Sequence, residues 1–175
     1  MSWSGQRCHS CTRRPDPRES EETRMPGRMS PETADLVGAI VAALIYMLVM
    51  LVFSARLAGD ERAGHWIGVA VVATALPVAY LLVVARGHSR PPLYFVQLSL
   101  MLIYLVVEWL LDYVLKVDFR SIRWMTILYV MLFFGGTGGM IGVASHAGRQ
   151  WTVLSVVLFL LMAALAFVQR AKTGM

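Results

Sequence analysis

The hydrophobic part of this sequence has no cysteine and very little charge. The two cysteines, Cys8 and Cys11, both lie in a polar N-terminal segment, so neither a disulfide framework nor a thiol redox centre is expected in the apolar part. Charged residues make up 15% of the chain and hydrophobic residues 57%, whereas soluble domains carry roughly 25% charged residues. This balance indicates an integral membrane protein and argues against a nucleic-acid-binding protein, although the net charge is +5.

The sequence also lacks the motifs of the common enzyme and cofactor classes. Its four histidines fall in the N-terminal segment and in loops, which argues against an HExxH metal site and against haem ligands within an apolar run. No GxSxG, GxGxxG or Walker motif occurs, so neither a hydrolase nucleophile nor a nucleotide site is indicated. We therefore predict no cofactor and no bound metal, and we favour a non-enzymatic role.

Five apolar runs are each long enough to cross a hydrocarbon core of about 30 Å, which takes about 20 helical residues. We predict an all-α, polytopic membrane protein in which residues 30–175 form a bundle of five transmembrane helices. The spans are expected at residues 36–57, 66–85, 93–115, 124–145 and 151–169. A four-span bundle is the alternative, should the glycine-rich fourth run not cross.

Residues 1–29 are polar, rich in Arg, Pro, Ser and Glu, and show no helical or strand periodicity. Such a segment buries too little apolar surface to offset its ordering entropy, so we predict a disordered tail. Its Cys8-His9-Ser10-Cys11 motif resembles half of a zinc site, but a tetrahedral site needs four ligands and a bystander role is favoured. Met25 and Met29 are further candidate start sites.

Proline and glycine mark two of the predicted spans. Pro77 lies in the middle of the second span and removes one backbone hydrogen bond, freeing the carbonyl of Ala73. We predict a kink there, with the hydroxyl of Thr74 as a candidate donor to that carbonyl, and a gating hinge as the alternative. In the fourth span, two GxxxG pairs predict close approach to neighbouring helices. These pairs comprise Gly135, Gly138, Gly139 and Gly142.

Glu108 and Asp112 are the acids of the third apolar run. They are four residues apart and share a helix face with Tyr104 and Lys116, so they predict a polar intramembrane site. An acid at a helix centre costs about 2.5–3.5 kcal/mol on insertion scales, so such a residue is a candidate functional group. The alternative is a structural salt bridge, because basic residues are expected at the same membrane face. These candidate partners are Arg56, Arg62, His65, Lys116, Arg120, Arg123, Arg170 and Lys172.

These patterns support three hypotheses of function. The first is a small carrier or accessory subunit in which Glu108 is the ionisable centre, and in which the acids and the glycines meet in a shared polar interior. The second is a structural or scaffolding membrane protein in which the acids only form salt bridges. The third and least favoured is a lipid-modifying enzyme. The expected partners are the lipid bilayer together with a small ion or solute, or another membrane subunit.

The basic residues also predict an orientation. With five spans, the side that carries the N-terminus has nine Arg and Lys residues and the other side has seven. Translation from Met29 would reduce the first number to three. Since charges far from a span count less, we expect a bacterial inner-membrane protein with an exterior N-terminus and a cytoplasmic C-terminus.

Overall fold

The computed structural model describes residues 30–87, 90–115 and 123–173. The predicted disordered tail at 1–29, with Cys8 and Cys11, lies outside the described residues. Within the described part the chain is almost wholly helical and has no strand.

Five helical spans are long and apolar enough to cross a membrane, which confirms the predicted fold class. The second span consists of two helices, and the third ends in a π-helix. The elements are, in order, Pro31–Leu57, Glu61–Ala73 with Ala75–Arg86, Pro92–Trp109 with the π-helix Leu110–Leu115, Arg123–Ser145, and Arg149–Thr173. We call them the first to fifth spans.

Local signals fix the start of the first two spans. The Ser30 hydroxyl accepts a hydrogen bond from the Thr33 backbone N–H at 3.2 Å, and Pro31 occupies the first helical position. Asp60 caps the second span in the same way, accepting from the Ala63 N–H at 2.9 Å. Gly59 precedes this cap at a φ of +78°, a conformation that side-chain-bearing residues rarely adopt.

The first four spans form a ring in which each packs against the next and the fourth returns to the first. The fifth span packs outside the ring, against the first and fourth. The interior side of the first span is therefore fully covered, whereas the fifth buries only Ser155 and Met162 among its described residues. The largest buried side chains of the core are Ile45, Tyr46, Leu81, Leu98, Met101, Leu105, Met140 and Met162.

The second span is interrupted at Thr74, three residues before Pro77. The Thr74 N–H donates to the Val71 carbonyl at 3.0 Å, a tightened turn, and the Thr74 hydroxyl donates to the same carbonyl at 2.6 Å. The prediction that this hydroxyl would serve the Ala73 carbonyl is wrong. A threonine hydroxyl can reach back three or four residues within its own helix, and Ala73 is its immediate neighbour.

Candidate intramembrane carboxylate site

Glu108 lies on the third span and faces the bulky first half of the fourth. Its Oε2 accepts a hydrogen bond from the Tyr129 hydroxyl. Both side chains are partly buried, so the carboxyl is held at a contact between two helices. The packing of the third span against the fourth brings these two polar side chains together.

Tyr104 supports the site from one turn earlier on the third span. Its side chain is only 3% exposed, and its ring centroid lies 6.0 Å from that of Tyr129 and 5.4 Å from that of Phe133. The tilted and edge-on arrangements are those that aromatic pairs prefer. The phenol that bonds Glu108 is therefore held by packed rings.

Asp112 has a different environment from Glu108. Its Oδ2 lies 3.8 Å from Nη2 of Arg56, in the last turn of the first span, and the two side chains are 28% and 32% exposed. Asp112 sits within the π-helix Leu110–Leu115, whose i→i+5 bonds widen the helix. Single-turn π segments of this kind are frequent at functional sites.

The two predicted acids thus have different kinds of partner. Asp112 is paired with a cation, whereas Glu108 has no basic nitrogen within ion-pair distance among the residues that the structure describes. Lys116 and the side chain of Arg123, the predicted basic members of the site, lie outside that part of the chain. No group of three or more potential His, Cys, Asp or Glu metal ligands occurs in it either.

The glycines of the fourth span approach the first half of the third span, one to three turns away from the acids. A Cβ added at Gly139 would lie 3.4 Å from the Cα of Gln97, and one added at Gly142 would overlap the Gln97 amide. Gly135 faces Leu100, and a Cβ added at Gly138 would lie 4.0 Å from the Phe159 ring of the fifth span. The glycines thus allow close approach of neighbouring helices, while Glu108 contacts Tyr129 in the other half of the fourth span.

Gly136 makes the closest backbone contact of this run. A Cβ there would lie 3.3 Å from the Cα of Met101 and 3.4 Å from the Leu100 carbonyl oxygen. Gly136 belongs to neither GxxxG pair, so the pattern did not predict this contact. Its place directly after Gly135, about 60° around the helix from Gly139, was the available signal.

A second ion pair, between Asp35 and Arg90, was also missed. Arg90 Nη2 lies 2.9 Å from Asp35 Oδ1 and donates to the Pro31 carbonyl at 3.0 Å. Its guanidinium also lies 5.6 Å from the centroid of the Tyr94 ring. The prediction began the first span at residue 36, so Asp35 fell just before the span, although inside the predicted 30–175 domain. The Ser30-Pro31 cap shows that the helix begins before Asp35.

The chain matches no protein-family model, no curated protein and no solved structure. Chemically, the Glu108 cluster offers one carboxyl group and phenolic O–H donors. Such a set can hold, accept and release a proton, whereas a cation such as Ca²⁺ takes six to eight oxygen ligands.

Proposed function

We propose that the protein is a small membrane carrier or accessory subunit whose ionisable centre is Glu108. The observation that carries this proposal is the pairing of a carboxyl group inside a span with a tyrosine hydroxyl instead of an arginine. The nearby arginine, Arg56, is engaged with Asp112.

The energetics favour a group that changes its protonation state. A charged residue at the centre of a span costs about 2.5–3.5 kcal/mol, and a counter-ion would offset that cost. A phenol supplies only one hydrogen bond, and it can bond either the neutral acid or the carboxylate. Glu108 can therefore exist in both forms without a large rearrangement of its neighbours.

A structural role is the second candidate, and the two ion pairs favour it. Asp35 of the first span pairs with Arg90, just before the third span, at one end of the bundle, and Arg56 of the first span pairs with Asp112 of the third at the other end. A scaffold would need these pairs and would not need an ionisable Glu108. The experiment below separates the two roles.

The experiment compares the melting temperature of the purified wild type with that of Glu108→Gln across pH. Glutamine keeps the shape of the neutral acid, so we expect normal folding together with loss of the pH dependence that Glu108 contributes. Asp112→Asn is the matched control, one turn away on the same span, and should leave that component in place. Identical pH profiles for wild type and Glu108→Gln would mean that Glu108 does not titrate, and only the scaffold would remain.

For location, we propose the bacterial inner membrane with the C-terminus in the cytoplasm. The five apolar spans and the basic residues that flank them support this orientation. The bilayer is then the solvent of the bundle, and the further partner is a small ion or solute, or another membrane subunit. A C-terminal alkaline phosphatase fusion should be inactive, and an active fusion would reverse the orientation.

A further inference from the structure

We propose that Arg56 is a mobile counter-ion shared by two acids, Asp112 and Glu108. While Glu108 carries its proton, Arg56 pairs with Asp112, which is the pairing that the structure shows. When Glu108 loses its proton, Arg56 moves from Asp112 towards Glu108. Proton release is thereby coupled to the ion pair that joins the first and third spans. This inference rests on the proposed function, in which Glu108 is the ionisable group.

Asp112 holds Arg56 only loosely. The distance from Nη2 of Arg56 to Oδ2 of Asp112 is 3.8 Å, whereas charge-assisted hydrogen bonds between such groups measure about 2.7–2.9 Å. Within the described part of the chain, the Arg56 side chain donates no hydrogen bond. Arg90 differs, because it lies 2.9 Å from Asp35 and also donates to the Pro31 carbonyl. Arg56 therefore has a charge partner without a fixed position.

Glu108 and Asp112 offer two carboxyl groups side by side. Residues four apart on a helix share a face, with Cβ atoms about 5–6 Å apart. The charges of Asp112 and Arg56 both act on the Glu108 carboxyl, so the three groups lie in one cluster. An arginine side chain has several rotatable bonds, each with staggered alternatives, and a shift of about 5–6 Å is within its reach. Arg56 can therefore pair with either acid.

The second span holds the stem of Arg56 and leaves its charged end free. A Cβ added at Gly64, which is buried, would lie 3.6 Å from Cγ of Arg56, so the stem packs against this glycine. The whole Arg56 side chain is 32% exposed, and that of Asp112 is 28% exposed. Basic side chains commonly pack their methylene groups against an apolar surface and leave the charged end unburied. The guanidinium can thus change partner while the helices keep their positions.

Charge balance favours the exchange. With Glu108 protonated, Arg56 and Asp112 form a neutral pair. Loss of the proton leaves one cation for two carboxylates, so one of them lacks a partner. An unpaired charge costs less near the end of a span than at its centre. Asp112 lies one turn nearer to the end of the third span than Glu108, so Arg56 lowers the free energy more by pairing with Glu108.

Among the described residues, Arg56 is the cation whose charge acts on Glu108. The fourth span contributes Tyr129 and the third span Tyr104 to the surroundings of the carboxyl, and both are phenols. The other basic residues described at this end lie on the second span, where they are exposed, or at the end of the fifth span, which packs outside the ring. They are Arg62, His65, Arg170 and Lys172.

The test is a pH titration of Glu108 in the full-length protein, purified into lipid nanodiscs and followed by infrared spectroscopy. A protonated carboxyl group has a C=O stretching band apart from the bands of carboxylates and amides. The band that disappears in Glu108→Gln belongs to Glu108, and its loss with rising pH gives the titration midpoint. The variants to compare are Arg56→Gln, Arg56→Lys, Asp112→Asn and the double variant Arg56→Gln/Asp112→Asn.

Arg62→Gln is the matched control. It removes the same charge from an exposed side chain in the first turn of the second span, at the same end of the bundle. Its titration midpoint should stay close to that of the wild type, because screening weakens the effect of an exposed charge. Since the Arg56–Asp112 pair is loose and partly exposed, the variants of the pair should fold like the wild type.

We expect Arg56→Gln to raise the titration midpoint of Glu108 by about one to three pH units, the usual effect of losing a nearby opposite charge. Arg56→Lys keeps the charge and should recover most of this shift. Asp112→Asn should keep the titration and lower its midpoint, because it removes a like charge and releases Arg56 to Glu108. In the Arg56→Gln background the same change has no cation to release, so we expect about half the shift or less.

Equal effects of Asp112→Asn with and without Arg56 would show that Arg56 does not exchange partners, and the inference would fail. An unmoved midpoint in Arg56→Gln, or a lysine variant that behaves like the glutamine variant, would overturn it as well. In each of these cases Glu108 still titrates and the proposed function stands. If the wild type shows no pH-dependent band that Glu108→Gln removes, Glu108 does not titrate, and the proposed function fails together with the inference.

Discussion

The two ends of the bundle are built in different ways. The Arg90 end comprises Asp35, Arg90, Tyr94 and the Gln97 contact with the glycines. Its ion pair is 2.9 Å long, with side chains only 13% and 14% exposed. Arg90 is further held by the Pro31 carbonyl and the Tyr94 ring, and that ring lies 5.3 Å from His146.

The Glu108 end comprises Arg56, Tyr104, Glu108, Asp112 and Tyr129. Its ion pair is longer, at 3.8 Å, and about twice as exposed. The third span changes here from α- to π-helix, and Glu108 is bonded to a phenol. An ion pair of low exposure and close backbone contacts hold the Arg90 end, whereas Glu108 at the other end has no counter-ion among the described residues. We therefore expect the Arg90 end to contribute more to stability, and the proposed function places the ionisable group at the Glu108 end.

The largest expected effect is that of Asp35→Asn, which removes the counter-charge of Arg90. Breaking a buried pair on one side lowers the free energy of unfolding by about 3–5 kcal/mol. The loss should appear as a lower melting temperature and poor expression. The double variant Asp35→Asn/Arg90→Gln serves as the control and should recover part of the loss. A loss below about 1 kcal/mol would place the pair among solvated surface bridges.

The next effect is that of Gly139→Leu, which probes the close backbone contact of the same end. A Cβ added at Gly139 would lie only 3.4 Å from the Gln97 Cα, so the rest of a leucine side chain must push the two spans apart. Overpacking of this kind costs about 1–3 kcal/mol. Leu158→Met, a change of similar volume on the fifth span, should be almost silent in the same melting assay. If Gly139→Leu melts like the wild type, the glycines do not hold the third and fourth spans together.

The spans could be predicted from the sequence because bilayer thickness alone dictates their length. Each predicted span overlaps an observed one, and boundaries differ mainly where helices extend past the hydrocarbon, as the first does from Pro31. Hydropathy cannot show which spans are neighbours, so the ring order and the external fifth span were not predictable.

The site was harder to predict for the same reason. Spacing placed Tyr104, Glu108 and Asp112 on one face, but the partner of each depends on the rotation of another helix. Tyr129 was not predicted as a member of the site, because a single tyrosine hydroxyl in an apolar run gives no periodic signal. Gln97 was not predicted as a contact because it carries no charge and belongs to no motif, although its amide packs against Gly142 of the fourth span.

A smaller effect is expected for Tyr129→Phe at the Glu108 end. The variant keeps the ring that packs against Tyr104 and removes the donor to Glu108, which should cost about 1–2 kcal/mol. Tyr80→Phe is the matched control, because Tyr80 is 51% exposed and removal of its hydroxyl should change the free energy of unfolding little. Pairing the variant with Glu108→Gln gives a double-mutant cycle. Strict additivity would show that the two side chains do not interact.

The smallest effect should come from Asp112→Asn, the counterpart of Asp35→Asn at the Glu108 end. The Arg56–Asp112 pair has side chains about 30% exposed and an N–O separation of 3.8 Å, so water and salt screen it. Exposed pairs contribute about 0.2–1 kcal/mol, and we expect a loss in that range which shrinks as salt is raised. The melting temperatures of both aspartate variants, measured at low and high salt, test the contrast between the ends directly. Asp35→Asn should stay strongly destabilised at high salt because its pair is shielded from ions. Equal losses for the two variants at both salt concentrations would mean that the two ends are held in the same way, and the division between a stabilising end and a chemical end would fail.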